Sequence, residues 1–157
     1  NTNGNIGSIK TNGTATSFNT SSDYRLKENV DYTWDATTRL KQLKPARFNF
    51  IADDTTTVDG FLAHEVSSVV PEAISGTKDA TETLSNAVVM PNGISVGSGI
   101  TEAKWTTGKA DGTYPADTTW TASHTQDVWQ SIDQSKLVPL LVKTIQELEA
   151  RITALEA

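Results

Sequence analysis

No cysteine occurs among the 157 residues, which removes disulfide staples and thiolate chemistry. Histidine is nearly as scarce: only His64 and His124 are present, far apart and without a Cys/His cluster, so no metal ligand set is expected. A Ser-His-Asp triad remains open on spacing alone, yet no nucleophile elbow accompanies either histidine. Phosphate loops and dinucleotide fingerprints are missing as well, and no cofactor is expected. No apolar run is long enough to span a bilayer, and the start lacks the charged and apolar pattern of a secretory signal. Positive charge is thin, with 13 Lys and Arg against 19 Asp and Glu for a net of -6. Nucleic acid and anionic membrane are therefore not expected as partners, since both need clustered positive charge. Hydrophobic residues make up 36% of the chain, which is low for a self-sufficient monomer. Such a chain is expected to borrow core from a partner.

What is present falls into zones. Residues 1–21 are Asn, Thr, Gly and Ser with Ile6, Ile9 and Phe18 interspersed, a composition that cannot fold alone and reads as the end of another module. "WDATTRLKQL" (34–43) places Trp34, Ala36, Leu40 and Leu43 near one helical face before Pro45 ends it. "ARFNF" (46–50), the polar "ADDTTT" and "VDGFLA" (58–63) predict a hairpin with a polar turn. "AHEVSSVV" has helical spacing up to Pro71. Residues 76–127 are rich in Thr, Gly, Ala, Ser and Asp around isolated Trp105, Tyr114 and Trp120. Stretches such as "NGISVG" and "KADGTYP" predict protruding hairpins rather than a core, an insertion or arm. Its tryptophans either pack within the arm or face a partner.

The C-terminal stretch has the clearest periodicity. Val138, Leu141, Ile145, Leu148, Ile152 and Leu155 recur at alternating spacings of three and four, an a/d heptad seam. Asp133 or Ser135 is expected to cap its start, and Pro139 is tolerable in the first turn. A seam under three full heptads is marginal alone. It is expected to form one strand of an oligomeric bundle that also packs on its own domain; an amphipathic helix on a monomer core is the alternative.

Ser22, Asp23, Arg25 and Lys27 sit together in "TSSDYRLKENV". Two readings of this cluster compete. Serine becomes a nucleophile when a base takes its proton, and lysine serves as that base if burial or a neighbouring cation, here Arg25, favours its neutral form. Alternatively the cluster is a helix start, with Ser22 as N-cap and Lys27 or Glu28 in the first turn.

"SDYRLKENV" resembles the S-D-x-R-L-K signature that opens the intramolecular chaperone domain at the C-terminus of phage tail spikes and tail fibres, the endosialidase-type chaperone or S74 peptidase family. "LKQLKPARFNF", "GFLAHEVSSVVPEAI" and "SKLVPLLVKTIQELEARI" resemble further stretches of that family in the same order, covering roughly 22–75 and 128–155. Many relatives carry Gln where this chain has His64, and residues 76–127 lie outside the resemblance.

The resemblance implies a chaperone that trimerises, guides an N-terminally attached fibre or spike to its fold and then cuts itself off. The expected fold is α+β: the residues themselves predict a small helix and hairpin core, a protruding β-rich arm and a long C-terminal helix, which the resemblance places in a homotrimeric bundle. Residues 1–22 would be the stub of the passenger and 23–157 the chaperone, with the arm at 76–127 and the trimerisation helix at 133–157. Ser22 would be nucleophile and Lys27 general base, with cleavage at Ser22-Asp23 and possible support from Arg25 and His64. Attack by Ser22 on its own carbonyl closes a strained four-membered ring, whereas the preceding Ser21 carbonyl gives a five-membered one. Attack across chains, assistance by Asp23 and a cut one residue earlier are the ways out. The expected setting is the host bacterial cytoplasm during phage assembly, the freed chaperone being left out of the virion. A non-cleaving trimeric cap or receptor-binding tip is the competing function, and an enzyme acting on external substrate a weaker third.

Overall fold

The computed structural model describes residues 7–157; Ile6 and its neighbours in the expected stub lie outside the described residues. Two compact units result, one ending at Trp34 and the other running from Asp35. The fold is α+β, with short helices, small antiparallel sheets and a C-terminal helix.

In the first unit β1 (Gly7–Thr11) pairs with β2 (Thr16–Thr20) around a turn that Asn12 holds, its Oδ1 accepting from the Thr14 and Ala15 amides. Ile9 stands opposite Phe18, yet the two are 70% and 78% exposed. This hairpin therefore has no core of its own, as its composition predicts. A 3-10 turn, Tyr24–Leu26, follows.

The second unit opens with α1 (Ala36–Leu40), shorter than the 34–43 helix predicted, because Asp35 caps it at Thr38 and the chain turns out after Leu40. Strands β3 (Ala46–Phe50) and β4 (Asp53–Gly60) form the expected hairpin. Its turn is tighter than predicted: the threonines read as turn lie in β4, where their β-branched side chains suit a strand. Helix α2 (Ala63–Val66) is also shorter than its spacing suggested. Val69 follows it as a turn residue, and Val70 leads into a 3-10 turn, Pro71–Ala73. Val66, Val69, Val70 and Ala73 are buried all the same. Arg39 ties this segment to α1 by donating Nε to the Val69 carbonyl (2.7 Å) and Nη2 to Glu72 (2.9 Å).

Residues 76–127 are not hairpins without a core. After the short β5 (Ile74–Ser75), β6 (Thr81–Val89) is the centre of a sheet flanked by β7 (Ser95–Gly97) and β8 (Thr119–Asp127). Ala87, Val88 and Val89 are buried there. "NGISVG" does form the turn into β7, but "KADGTYP" begins at the end of a helix, α3 (Glu102–Ala110), that the sequence did not reveal. Trp120 donates to the Ile100 carbonyl (2.7 Å) and Trp105 to the buried Thr118 hydroxyl (3.1 Å), which is packing within the arm. Gly108 is required at its place, since a Cβ would lie 2.5 Å from the Tyr114 ring.

Short β9 (Ser131–Ile132) pairs back to β5 and leads to a 3-10 turn, Gln134–Leu137, capped by Asp133 through the Ser135 amide. Helix α4 (Val138–Glu156) follows, with Pro139 in its first turn as expected. Its buried face is Leu140 and Thr144, with Leu137 just before it, and packs on α1. Burying a leucine as fully as Leu140 is worth about 1.5–3 kcal/mol. On the same face Glu147 accepts hydrogen bonds from the amides of Ala36 (3.0 Å) and Thr37 (2.8 Å) and from the Thr37 hydroxyl. These donors, the Thr37 hydroxyl foremost, hold its carboxyl below the usual carboxylate range, while the charge of Asp35 works the other way.

A carboxyl depressed by folding adds stability that is complete above its unfolded pKa and is lost as pH falls through the folded value. Glu147→Ala is expected to lower the thermal midpoint by several degrees at neutral pH, and to flatten the loss of stability on acidification below about pH 4.3. Circular-dichroism melts across pH check this; equal midpoints at neutral pH would show the contact to be inert.

Candidate functional site

The stretch after β2 is built by local rules. Asp23, not Ser22, is the capping residue: its Oδ1 accepts from the Arg25 amide at 2.9 Å and starts the 3-10 turn. The same carboxylate takes a two-pronged contact from the Arg25 guanidinium, Nε to Oδ1 at 2.9 Å and Nη2 to Oδ2 at 2.8 Å. One tight turn is thereby closed by a cap and a salt bridge. Leu26 and Lys27 complete it with amide bonds back to the Asp23 and Tyr24 carbonyls.

The consequence lies at its two ends. Ser22 precedes the cap and Lys27 follows the last turn residue, and the Lys27 Nζ stands 2.8 Å from the Ser22 Oγ, donating to it. Reversed, with the hydroxyl donating to a neutral amine, this is the contact in which lysine deprotonates serine. Both residues are exposed in the single chain.

Arg25 does not stand as a bare cation beside Lys27. Its guanidinium is spent on Asp23, which raises its own pKa and pulls that of Asp23 below the usual range, the Arg25 side chain being the largest cause and its amide the next. His64 belongs to the second unit, exposed on α2, where it lines a cleft of about 360 Å³ with Lys78, Asp127 and Trp129. His124 sits in β8, its Nε2 2.8 Å from the Gly93 carbonyl. Among the described residues no three His, Cys, Asp or Glu side chains group as metal ligands, and no helix is long and apolar enough to cross a membrane.

The other sequence-derived set lies on α4. Val138, Leu141, Ile145, Leu148, Ile152 and Leu155 are between 44% and 87% exposed, a continuous apolar stripe beside the face that packs on α1. The packing face itself was not separated in the sequence, because Thr144 and Glu147 are polar: Thr144 donates back to the Leu140 carbonyl, and the partners of Glu147 lie over 100 residues away. The capping role of Asp23 was missed too; a Ser-Asp pair offers two capping side chains, and only the backbone angles choose between them.

Residues 22–75 match the family model Peptidase_S74, described as chaperone of endosialidase. The resemblance drawn from "SDYRLKENV", "LKQLKPARFNF" and "GFLAHEVSSVVPEAI" holds over that segment, about a third of the chain, and includes both Ser22 and Lys27. At this coarse level a chaperone role and a self-cleaving peptidase are supported. No curated protein matches the chain.

Arg25→Ala is expected to return the Asp23 carboxyl towards the ordinary range near 3.9, followed by carbon-detected NMR titration. An unmoved Asp23 would mean that the amide cap alone sets its acidity.

Proposed function

We propose that this chain is an intramolecular chaperone that trimerises through α4, guides an attached phage fibre or spike, and releases it by cleaving Ser22-Asp23 with a Ser22-Lys27 dyad. The observation that carries the reading is the 2.8 Å contact between Lys27 Nζ and Ser22 Oγ, made by a turn whose sequence lies within the peptidase family match. The stub ends at Ser22 and the chaperone starts at Asp23.

Chemistry and assembly are coupled in this reading. An exposed lysine is a poor base until the neutral form is favoured by loss of water. Both residues are exposed in the single chain, so the covering comes from assembly. The four-membered ring forbids Ser22 from attacking its own carbonyl, and the Asp23 carboxylate is engaged by Arg25. Attack across chains is the route left for this bond. Lys27 takes the Ser22 proton as Oγ adds to the Ser22 carbonyl of a neighbour. The bond to the Asp23 nitrogen breaks and that amine leaves with the proton. Water then hydrolyses the ester, freeing Ser22. Cleavage that needs a neighbour waits for the trimer.

The seam supplies the trimer. Six apolar side chains left to water on one stripe favour association, and level three chain ends at high effective concentration. Fibre strands that pair between chains have many wrong registers, which such levelling reduces. The passenger hairpin, with Ile9 and Phe18 exposed, has the open faces such pairing would cover. We place this in the host bacterial cytoplasm, with the freed domain left out of the virion.

Intact-mass spectrometry of the expressed chain is expected to show a fragment starting at Asp23, absent in Ser22→Ala and in Lys27→Arg, since guanidinium stays charged. An uncut wild-type chain that is trimeric would favour the non-cleaving cap, and a fragment starting at Ser22 would move the bond. Ile145→Asp is expected to give a monomer in sedimentation and to leave the chain uncut; a monomer that still cleaves would break the coupling.

A further inference from the structure

Beside the start of α4 lies an apolar groove of about 440 Å³, walled by Leu40, Leu43, Pro45, Phe61, Leu137 and Leu141. Leu141 belongs to both the groove and the exposed seam. The groove is thus continuous with the surface through which the chains are proposed to associate.

Heptad geometry says what faces it. With Val138, Ile145 and Ile152 at a, and Leu141, Leu148 and Leu155 at d, the g positions are Leu137, Thr144 and Arg151 and the e positions Val142, Glu149 and Glu156. In a parallel bundle each g faces the e of the following heptad on the next helix. The pairs are then Leu137 with Val142, Thr144 with Glu149, and Arg151 with Glu156. The first is apolar and the third of opposite charge, both complementary in parallel register, while Thr144 is taken up by its own domain. Valine at e is otherwise unexplained: it is 49% exposed and outside the seam. Leu137, its counterpart, is a wall of the groove.

We propose that each groove receives Val142 of the neighbouring protomer, one end of an i, i+4 ridge with Val138, so that every globular domain grips the helix of the next chain. This rests on the parallel trimer proposed above. Its consequence is that the α1 region is part of the trimer interface. A helix that has lost its own domain would associate more weakly than the intact chain.

A double-mutant cycle of Leu43→Ala and Val142→Ala, with trimer dissociation followed by sedimentation of the full chain, tests contact between them. Each variant is expected to raise the dissociation constant, and the double variant to fall at least about threefold short of the product. Multiplicative effects in a trimeric protein would overturn the groove assignment and leave the seam standing; a monomeric wild type would overturn the seam itself. Should Leu43→Ala disturb the fold, Lys41→Cys with Val142→Cys serves instead, at the groove rim and on the ridge. The chain has no other cysteine, so a short bismaleimide is expected to join chains into covalent dimers and trimers. No more interchain product than from Lys41→Cys with Ala150→Cys, on the far face of α4, would likewise overturn it.

Discussion

The carboxylate of Glu147 is the contact on which the chaperone unit turns. It takes both leading amides of α1 and the Thr37 hydroxyl, groups that a five-residue helix cannot satisfy internally. A helix so short has little stability of its own. It persists because Asp35 caps one amide, Glu147 occupies two more, and Leu140 packs alongside. In return α4 gains a fixed rotation about its axis. With Leu137, Leu140, Thr144 and Glu147 turned inward, the stripe from Val138 to Leu155 is turned out. This polar contact, with the buried Leu137, Leu140 and Thr144, therefore fixes which face of the helix is left exposed.

Legibility in the sequence followed the range of the interactions. The heptad stripe was readable because its signal lies within one helix, and the β3–β4 hairpin because alternation and a polar turn are local. The contact of Glu147 could not be read in the sequence, since its partners are 110 or more residues away. The arm misled for another reason. Its core is three small residues, Ala87, Val88 and Val89, closed by indole hydrogen bonds and a buried threonine, so low hydrophobicity did not mean that no core forms. Helix α3 is masked by its threonines, two of which bond back to carbonyls four residues earlier.

The Ser22 region shows how a single motif can serve two readings at once. A helix start and a reactive dyad appeared as alternatives in the sequence, yet the helix-start turn is also what brings Ser22 and Lys27 together. Asp23 caps it, Arg25 clamps the cap, and the resulting turn sets Lys27 against Ser22, five positions earlier. The structural role of Asp23 and Arg25 accounts for their place in the motif without giving either one chemistry.

Position and activation are then separate tasks. Position is local: the cap, the clamp and the Lys27–Ser22 contact itself all lie within residues 22–27. Activation, on the proposed reading, is not local, because the Arg25 guanidinium is spent on Asp23 and both Ser22 and Lys27 are exposed in the single chain. A pair that is assembled early but activated only by covering is suited to a cut made once. It can form in each chain as soon as the turn closes and still remain unreactive, provided that water leaves only when three chains are level. On that reading the exposed stripe of α4 acts as the timing element of the chemistry at Ser22, since the association it drives is the one event that brings neighbouring chains to the bond.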